Sequence, residues 1–184
     1  MKQMTTVREQ DNHRSPAFAV GDAVVYRAEG VCDIVDIRKE TFARPEGEDY
    51  YILSPRNDAN SSIYVPVYNE QLTALMRQIL TRDELLRMLG ELRGERLEWR
   101  PESRARNVMF REILAIGDRR ALVVLVLTIK ERIEQMAAEG KKAGSTETGA
   151  LARACKLLRD EFSLVIPLSG DDDLIALLLG EKKI

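Results

Sequence analysis

The sequence predicts an α+β protein built from separate parts: a small, bent antiparallel β-domain at the N-terminal side, then an all-α helical domain. Three observations carry this. Short runs rich in Tyr, Ile and Val, separated by turn-forming clusters, fill residues 18–67. Strand signals stop after Asn69. From Thr81 onward, apolar residues recur at helical spacing behind recognisable caps. The expected organisation is a disordered tail over 1–17, a β-domain over 18–68, a linker over 69–80 and a helical domain over 81–184.

The polar stretch 1–17 has no periodicity, which reads as a disordered tail. FAVGDAVVY places apolar residues around a Gly-Asp turn. GVCDIVDI alternates, with Val31, Asp33, Val35 and Ile37 on one side and Cys32, Ile34 and Asp36 on the other. Aspartates on both sides predict a strand fully buried on neither. EDYYILS and SIYVPV are further strands, and RPEGED and PRNDANSS are turn or loop clusters. Pro66 cannot donate to a ladder, so its strand ends there or lies at an edge.

Thr81-Arg82-Asp83-Glu84 has the form of a capping box, opening a helix with Leu85, Leu86, Met88 and Leu89. Pro101 suits the first turn of the next helix, which carries Met109, Phe110, Ile113 and Ile116 on one face and Arg104, Asn107 and Arg111 on the other. Gly117 is a C-cap and Asp118 the N-cap of the helix that follows. The β-branched run ALVVLVLTI would suit a strand, but the unbroken length from Arg119 to Glu139 and its charged second half favour a helix. Gly140 to Gly149 reads as a polar loop, with Ser145 or Thr146 capping a helix that carries Leu151, Ala154, Cys155, Leu158 and Phe162. A short last helix runs from Ser169-Gly170-Asp171 through Leu179.

Composition narrows the function classes. With 45% hydrophobic and 32% charged residues over 184 positions, the chain is of ordinary globular type. Its longest apolar run, Ala121 to Leu127, is far too short to span a bilayer, and the N-terminus has no apolar signal region, so a cytoplasmic protein without a membrane role is expected. Cys32 and Cys155 stand alone in apolar surroundings, and the single histidine, His13, lies in the polar tail, so neither a metal nor a cofactor is expected. There is no phosphate loop and no nucleophile arrangement, hence no catalytic residues. Asp171-Asp172-Asp173 reads as acidic residues complementing a helix N-terminus. The net charge of −2 hides an asymmetry: residues 18–70 hold 5 basic and 10 acidic residues, residues 91–132 hold 10 basic and 7 acidic.

The sharpest local feature is the only tryptophan. Arg93, Arg96, Arg100, Arg104 and Arg106 cluster around Trp99 where two helices join. Arginines neutralise phosphates, and an aromatic ring can wedge between bases. The competing reading is that Trp99 packs in the helical core and the arginines form a solvated face. Arg106 falls near the apolar side of its helix, where a structural ion pair is the alternative to a DNA contact.

FAVGDAVVYRAEGVCDIVDI resembles the opening of the CarD-like domain, where such a pattern starts a Tudor/SH3-like β-domain. YYILS and IYVPV resemble its later strands. LTRDELLRMLGEL, Trp99 and RARNVMFREILAIGD resemble the helical domain of the stand-alone bacterial transcription regulators of that family, over roughly 18–165 in all. The first motif also occurs in polymerase-binding domains of transcription-repair coupling factors. The resemblance implies docking on the RNA polymerase β subunit, partly by extending a sheet edge. It further implies weak, sequence-independent contact with promoter DNA at the upstream edge of the transcription bubble, with a Trp wedge that stabilises the open complex. Carried onto this chain, the DNA-binding residues are Trp99, Arg96, Arg100, Arg104 and Arg111, and the polymerase-binding residues are Arg38, Lys39 and Tyr64.

The chain departs from that pattern in places. The segment from Trp99 to Gly117 is longer than in well-known members, and both the β-domain and the C-terminal part are acidic. Two further readings stand beside the regulator: a protein-only polymerase interaction module without wedge activity, and a KOW-like domain of translation or elongation factors, against which the helical half argues.

Overall fold

The computed structural model describes residues 16–182. Most of the polar tail, with His13, lies outside the described residues. Strands β1 (Ala23–Tyr26), β2 (Gly30–Glu40), β3 (Glu48–Pro55), β4 (Ile63–Pro66) and β5 (Met76–Gln78) form one antiparallel sheet in the order β4-β3-β2-β1-β5. A short helix, α1 (Glu70–Thr73), precedes β5. Five helices follow: α2 (Arg82–Leu92), α3 (Ser103–Ile116), α4 (Arg119–Ala138), α5 (Ser145–Phe162) and α6 (Asp171–Leu179). The α+β layout expected from the pattern is the one observed.

Each sheet residue takes its side from the register. Val24, Cys32, Ile34, Tyr51, Leu53, Val65 and Met76 are buried together in a β-core. Phe18 packs on this core, its ring 6.0 Å from that of Tyr51. The ladder between β2 and β3 shifts between Ile34 and Asp36. The extra residue there, Val35, is 51% exposed, and Ile37 turns inward to the same core as Cys32 and Ile34. Simple alternation places Ile37 with Val35; the bulge reverses it. Pro66 ends an edge strand, as its missing donor requires.

The segment 69–80, expected as a linker, holds α1 and β5, and β5 pairs with β1 from Val24↔Gln78 to Tyr26↔Met76. Met-Arg-Gln has no β-branched residue, so this strand is made by its backbone partner rather than by its own preference.

In the helical domain, Thr81 and Glu84 close a full capping box. Asp118 accepts from the Ala121 amide, and ALVVLVLTI is helical and largely buried. Three local expectations are corrected. α3 starts at Ser103 behind Glu102, leaving Pro101 outside the helix. α5 starts at Ser145 behind Gly144, which offers no side-chain cap, so neither Ser145 nor Thr146 is the cap and the loop is shorter than 140–149. On α3 the buried residues are Phe110 and Leu114, whereas Ile116 is 60% exposed because the last turn rotates it away from the core.

The two cores meet at a defined corner. A single 3-10 turn, Arg27–Glu29, joins β1 to β2, with Arg27 at φ 48°. Gly117, left-handed at φ 68°, ends α3 against this turn. A Cβ on Gly117 would overlap the Arg27 carbonyl and lie 3.0 Å from the Ala28 nitrogen. Arg77 of β5 donates to the Gly117 carbonyl at 2.5 Å, and Arg119 donates to the Gln78 carbonyl at 2.7 Å. Arg119 also forms a buried ion pair with Glu161 of α5 at 3.1 Å. Burial pushes the Glu161 carboxyl up and the Arg119 guanidinium down from their ordinary pKa values, so each charge depends on the other. Further along, Lys156 donates to the Asn57 side chain at 2.6 Å.

Gly117→Val should therefore lower the unfolding free energy by about 3 kcal/mol, combining left-handed strain with a backbone clash. Urea unfolding measures it, and a loss below about 1 kcal/mol would mean the corner has room to relax. Burial pushes the Cys32 thiol up to about 11 and that of Cys155 up to about 12. Both should resist an aromatic disulfide reagent in mildly alkaline buffer until denaturant is added. Rapid labelling of the native protein would contradict their burial.

Candidate functional site

Two surfaces collect the residues singled out from the sequence. The first is the outer face of β2, β3 and β4, opposite the β-core. Register places Arg38 across from Tyr50, and Asp36 across from Ile52, which is across from Tyr64. Arg38 and Tyr64 thus share one face, while Lys39, one residue on, points to the other. Phe42 folds back from the β2–β3 loop and completes an aromatic cluster. Its ring lies 5.6 Å from Tyr50 and 5.1 Å from Tyr64, both edge to face. Phe42 is 64% exposed and Tyr64 37%.

Charge frames the cluster. Arg38 bonds Glu40 at 2.7 Å and Asp36 at 3.3 Å. Tyr50 donates to Glu48 at 2.6 Å, which raises its phenol above the ordinary value. Tyr64 sits on β4, the outermost strand on this side, so an aromatic side chain and an unpaired backbone edge lie together. Sequence reasoning misses Phe42. Its only signal is a lone aromatic in a charged loop directly after a strand.

The second surface surrounds Trp99, in the connection between α2 and α3. That connection is pinned along α4: the Leu97 amide donates to the Thr128 hydroxyl at 2.9 Å, and Thr128 in turn donates to the Val124 carbonyl at 2.7 Å. Trp99 is half-buried. It packs on the helical core, its ring 6.3 Å from that of Phe110. The guanidinium of Arg106 lies over the ring at 4.9 Å and that of Arg132 at 5.5 Å. Trp99 is therefore a core-anchored residue with an open side.

The arginines around it divide by their partners. Arg106 is structural. It pairs with Glu147 of α5 at 2.9 Å, with the two side chains 13% and 7% exposed, and donates to the carbonyls of Arg100 and Pro101. Arg96 is held by Glu131 at 2.5 Å and by the Arg93 and Glu95 carbonyls. Arg100, Arg104 and Arg111 are exposed, and among the described residues none has a side-chain hydrogen bond or ion pair. Arg104 and Arg111 stand on the outward face of α3.

Among the described residues no three His, Cys, Asp or Glu side chains gather as a metal site. In the acidic run at the start of α6, Asp171 pairs with Arg159, and Asp173 pairs with Lys182 at 2.9 Å while accepting from the Ser169 amide. Those bonds hold the Asp173 carboxyl below its ordinary range. No described helix is long and apolar enough to cross a membrane.

Residues 18–80 match the CarD-like/TRCF RID domain. The match spans the whole sheet and includes β5, which the strand signals alone leave out. The chain has no match among the curated proteins.

The Arg106–Glu147 pair gives a direct check on this geometry. Glu147→Ala leaves a guanidinium buried without its counter-charge and should cost about 3–5 kcal/mol in urea unfolding. The double variant with Arg106→Ala should recover part of that loss. Additive losses would show that the two side chains do not interact.

Proposed function

We propose, for a chain whose residues 18–80 form a CarD-like/TRCF RID domain, an RNA polymerase-interacting module, that it regulates transcription by binding polymerase and promoter DNA at once. The β-domain docks on the polymerase β subunit. The free side of β4 offers main-chain donors and acceptors for strand addition, and Tyr64 with Arg38 supplies side-chain contacts on the outer face, with Lys39 reaching from the other. The helical domain lies on DNA at the upstream edge of the bubble.

The observation that carries the DNA half is the contrast among the arginines. Arg106 and Arg132 lie over Trp99, while Arg100 next to it in the chain and Arg104 and Arg111 on the outward face of α3 have no side-chain partner among the described residues. Solvated guanidiniums next to a rigid, half-open indole suit a phosphate backbone flanking an unstacked base step. Because guanidiniums lie over the ring, Trp99 enters by its open side as a wedge, rather than by stacking a base on both faces. Phosphate contacts carry no sequence information, so binding is weak and sequence-independent. The acidic surplus of residues 18–70 keeps the β-domain off the DNA.

A second reading has an observation of its own. Trp99 packs against Phe110, and in a protein-only polymerase module that packing would be its whole purpose.

Polymerase capture separates the halves. Tyr64→Glu should weaken binding to the β subunit by about 1–3 kcal/mol and leave DNA binding alone. Trp99→Ala should leave capture intact and shorten open-complex lifetime by roughly 5- to 100-fold, with Trp99→Phe between, since base–aromatic stacking is worth about 1–3 kcal/mol. Open-complex decay unchanged in Trp99→Ala, with the fold intact, would favour the protein-only module. Arg104→Ala with Arg111→Ala should flatten the log–log salt dependence of DNA binding by about 0.9 for each phosphate no longer neutralised.

A further inference from the structure

Phe42 is largely exposed, yet it is not a loose end of the β2–β3 loop. The Gly47 amide donates to the Arg44 carbonyl at 3.0 Å, and Gly47 takes φ 77°, so the loop turns tightly and folds back on the sheet. The Phe42 ring lands on Tyr50 and Tyr64, which themselves meet edge to face at 6.5 Å. Tyr50 is buried beneath the other two. The sheet's own core lies on the opposite face and does not need these rings. The outermost of them, Phe42, keeps most of its surface in water, a standing cost that a bound partner removes.

Carboxylates frame the rings. Asp36, Glu40 and Glu48 stand on the same face by register. Arg38 is the base held closely among them, at 2.7 Å from Glu40 and 3.3 Å from Asp36, whereas the exposed Arg44 reaches Glu48 only at 3.8 Å. The surplus of negative charge and the electron-rich ring faces both favour a cation. The cluster also borders the free edge of the sheet. At the other edge Arg119 donates to the Gln78 carbonyl of β5, so that side is engaged by the helical domain. A strand added to β4 places its residue opposite Tyr64 on the outer face, about 4.5–5.5 Å away between Cβ atoms. That position is beside Phe42, whose ring is 5.1 Å from that of Tyr64.

We propose that Phe42, with Tyr64 and Glu48, seats a lysine or arginine side chain carried by the polymerase strand that adds to β4. The assignment rests on the docking of the β-domain on the polymerase β subunit, and it supplies the selectivity that edge pairing lacks. Main-chain hydrogen bonds accept any sequence, so side chains must choose the segment. The rings hold the stem and charged end of the incoming cation, and Glu48 exchanges its loose contact with Arg44 for the new one. A strand with an acidic residue at that position meets Glu40 and Glu48 and is rejected.

The full chain is titrated onto RNA polymerase holoenzyme at a series of salt concentrations. Phe42→Ala should weaken binding by about 10-fold, Phe42→Leu by nearly as much because it keeps apolar bulk without a ring face, and Phe42→Tyr should bind as the unaltered protein does. Glu48→Gln can still accept from Tyr50; it should weaken binding by about 3-fold at low salt and flatten its salt dependence. Melting curves verify the fold of each variant. A photoreactive benzoylphenylalanine in place of Phe42 should crosslink to a β-subunit segment with a lysine or arginine immediately beside the adduct. Full affinity in Phe42→Leu, with a loss in Phe42→Ala, would reduce the cluster to an apolar contact and overturn the cation. A crosslink to a segment without lysine or arginine would overturn it as well. Unchanged affinity in Phe42→Ala, with polymerase still captured, would overturn the seat and leave docking standing. No capture of polymerase by the unaltered protein would overturn both.

Discussion

The close approach of Gly117 to the Arg27 carbonyl sets the arrangement of the whole molecule. α3 ends there in a left-handed residue that no side chain could occupy without displacing the β-domain turn beneath it. The next residue, Asp118, caps α4, so one corner both stops one helix and aims the next. Arg77 and Arg119 lock the corner from opposite sides, each donating to a carbonyl of the other domain. Glu161 of α5, buried against Arg119, fixes the guanidinium within the helical domain in the position from which it reaches the Gln78 carbonyl. The β-domain is therefore a platform on which the α3–α4 corner is seated, and not a bead on a string.

From that corner the chemistry of the surfaces follows. α3 runs away from the β-domain, carrying Arg104 and Arg111 on its outer side and Phe110 on its inner side. The inner side meets Trp99, held in turn by the Arg106–Glu147 pair between α3 and α5. Arg106 and Arg132 lie over the indole, and the solvated Arg104 and Arg111 face outward from the other side of α3. On the β-domain, Phe42, Tyr50 and Tyr64 cluster over a sheet face whose edge strand is short and ends in Pro66. A short, proline-ended edge resists casual strand pairing while still allowing a dedicated partner.

Much of this was legible in the sequence because it rests on local signals. The Thr81–Glu84 capping box, the Gly117-Asp118 junction and the separation of Arg106 from Arg104 and Arg111 depend on spacing along one helix, and spacing is what a sequence displays. The misses are non-local. β5 exists because β1 needed a partner, and Met76-Arg77-Gln78 carries no strand signature of its own. The bulge at Val35 is a property of two strands in register. Arg119 and Glu161 lie far apart along the chain, and only the folded corner brings them together.

The proposed grip on polymerase by one face and on DNA by another holds the two in a set relation only if the domains do not swing. The most direct test is the distance between spin labels placed on each domain, at Val35→Cys on the β2 bulge and Glu134→Cys on α4. Both sites are exposed, and the native thiols are buried. The seated corner predicts a single narrow distance distribution, the same with and without polymerase. A broad or two-peaked distribution that narrows only when polymerase or DNA is added would contradict it.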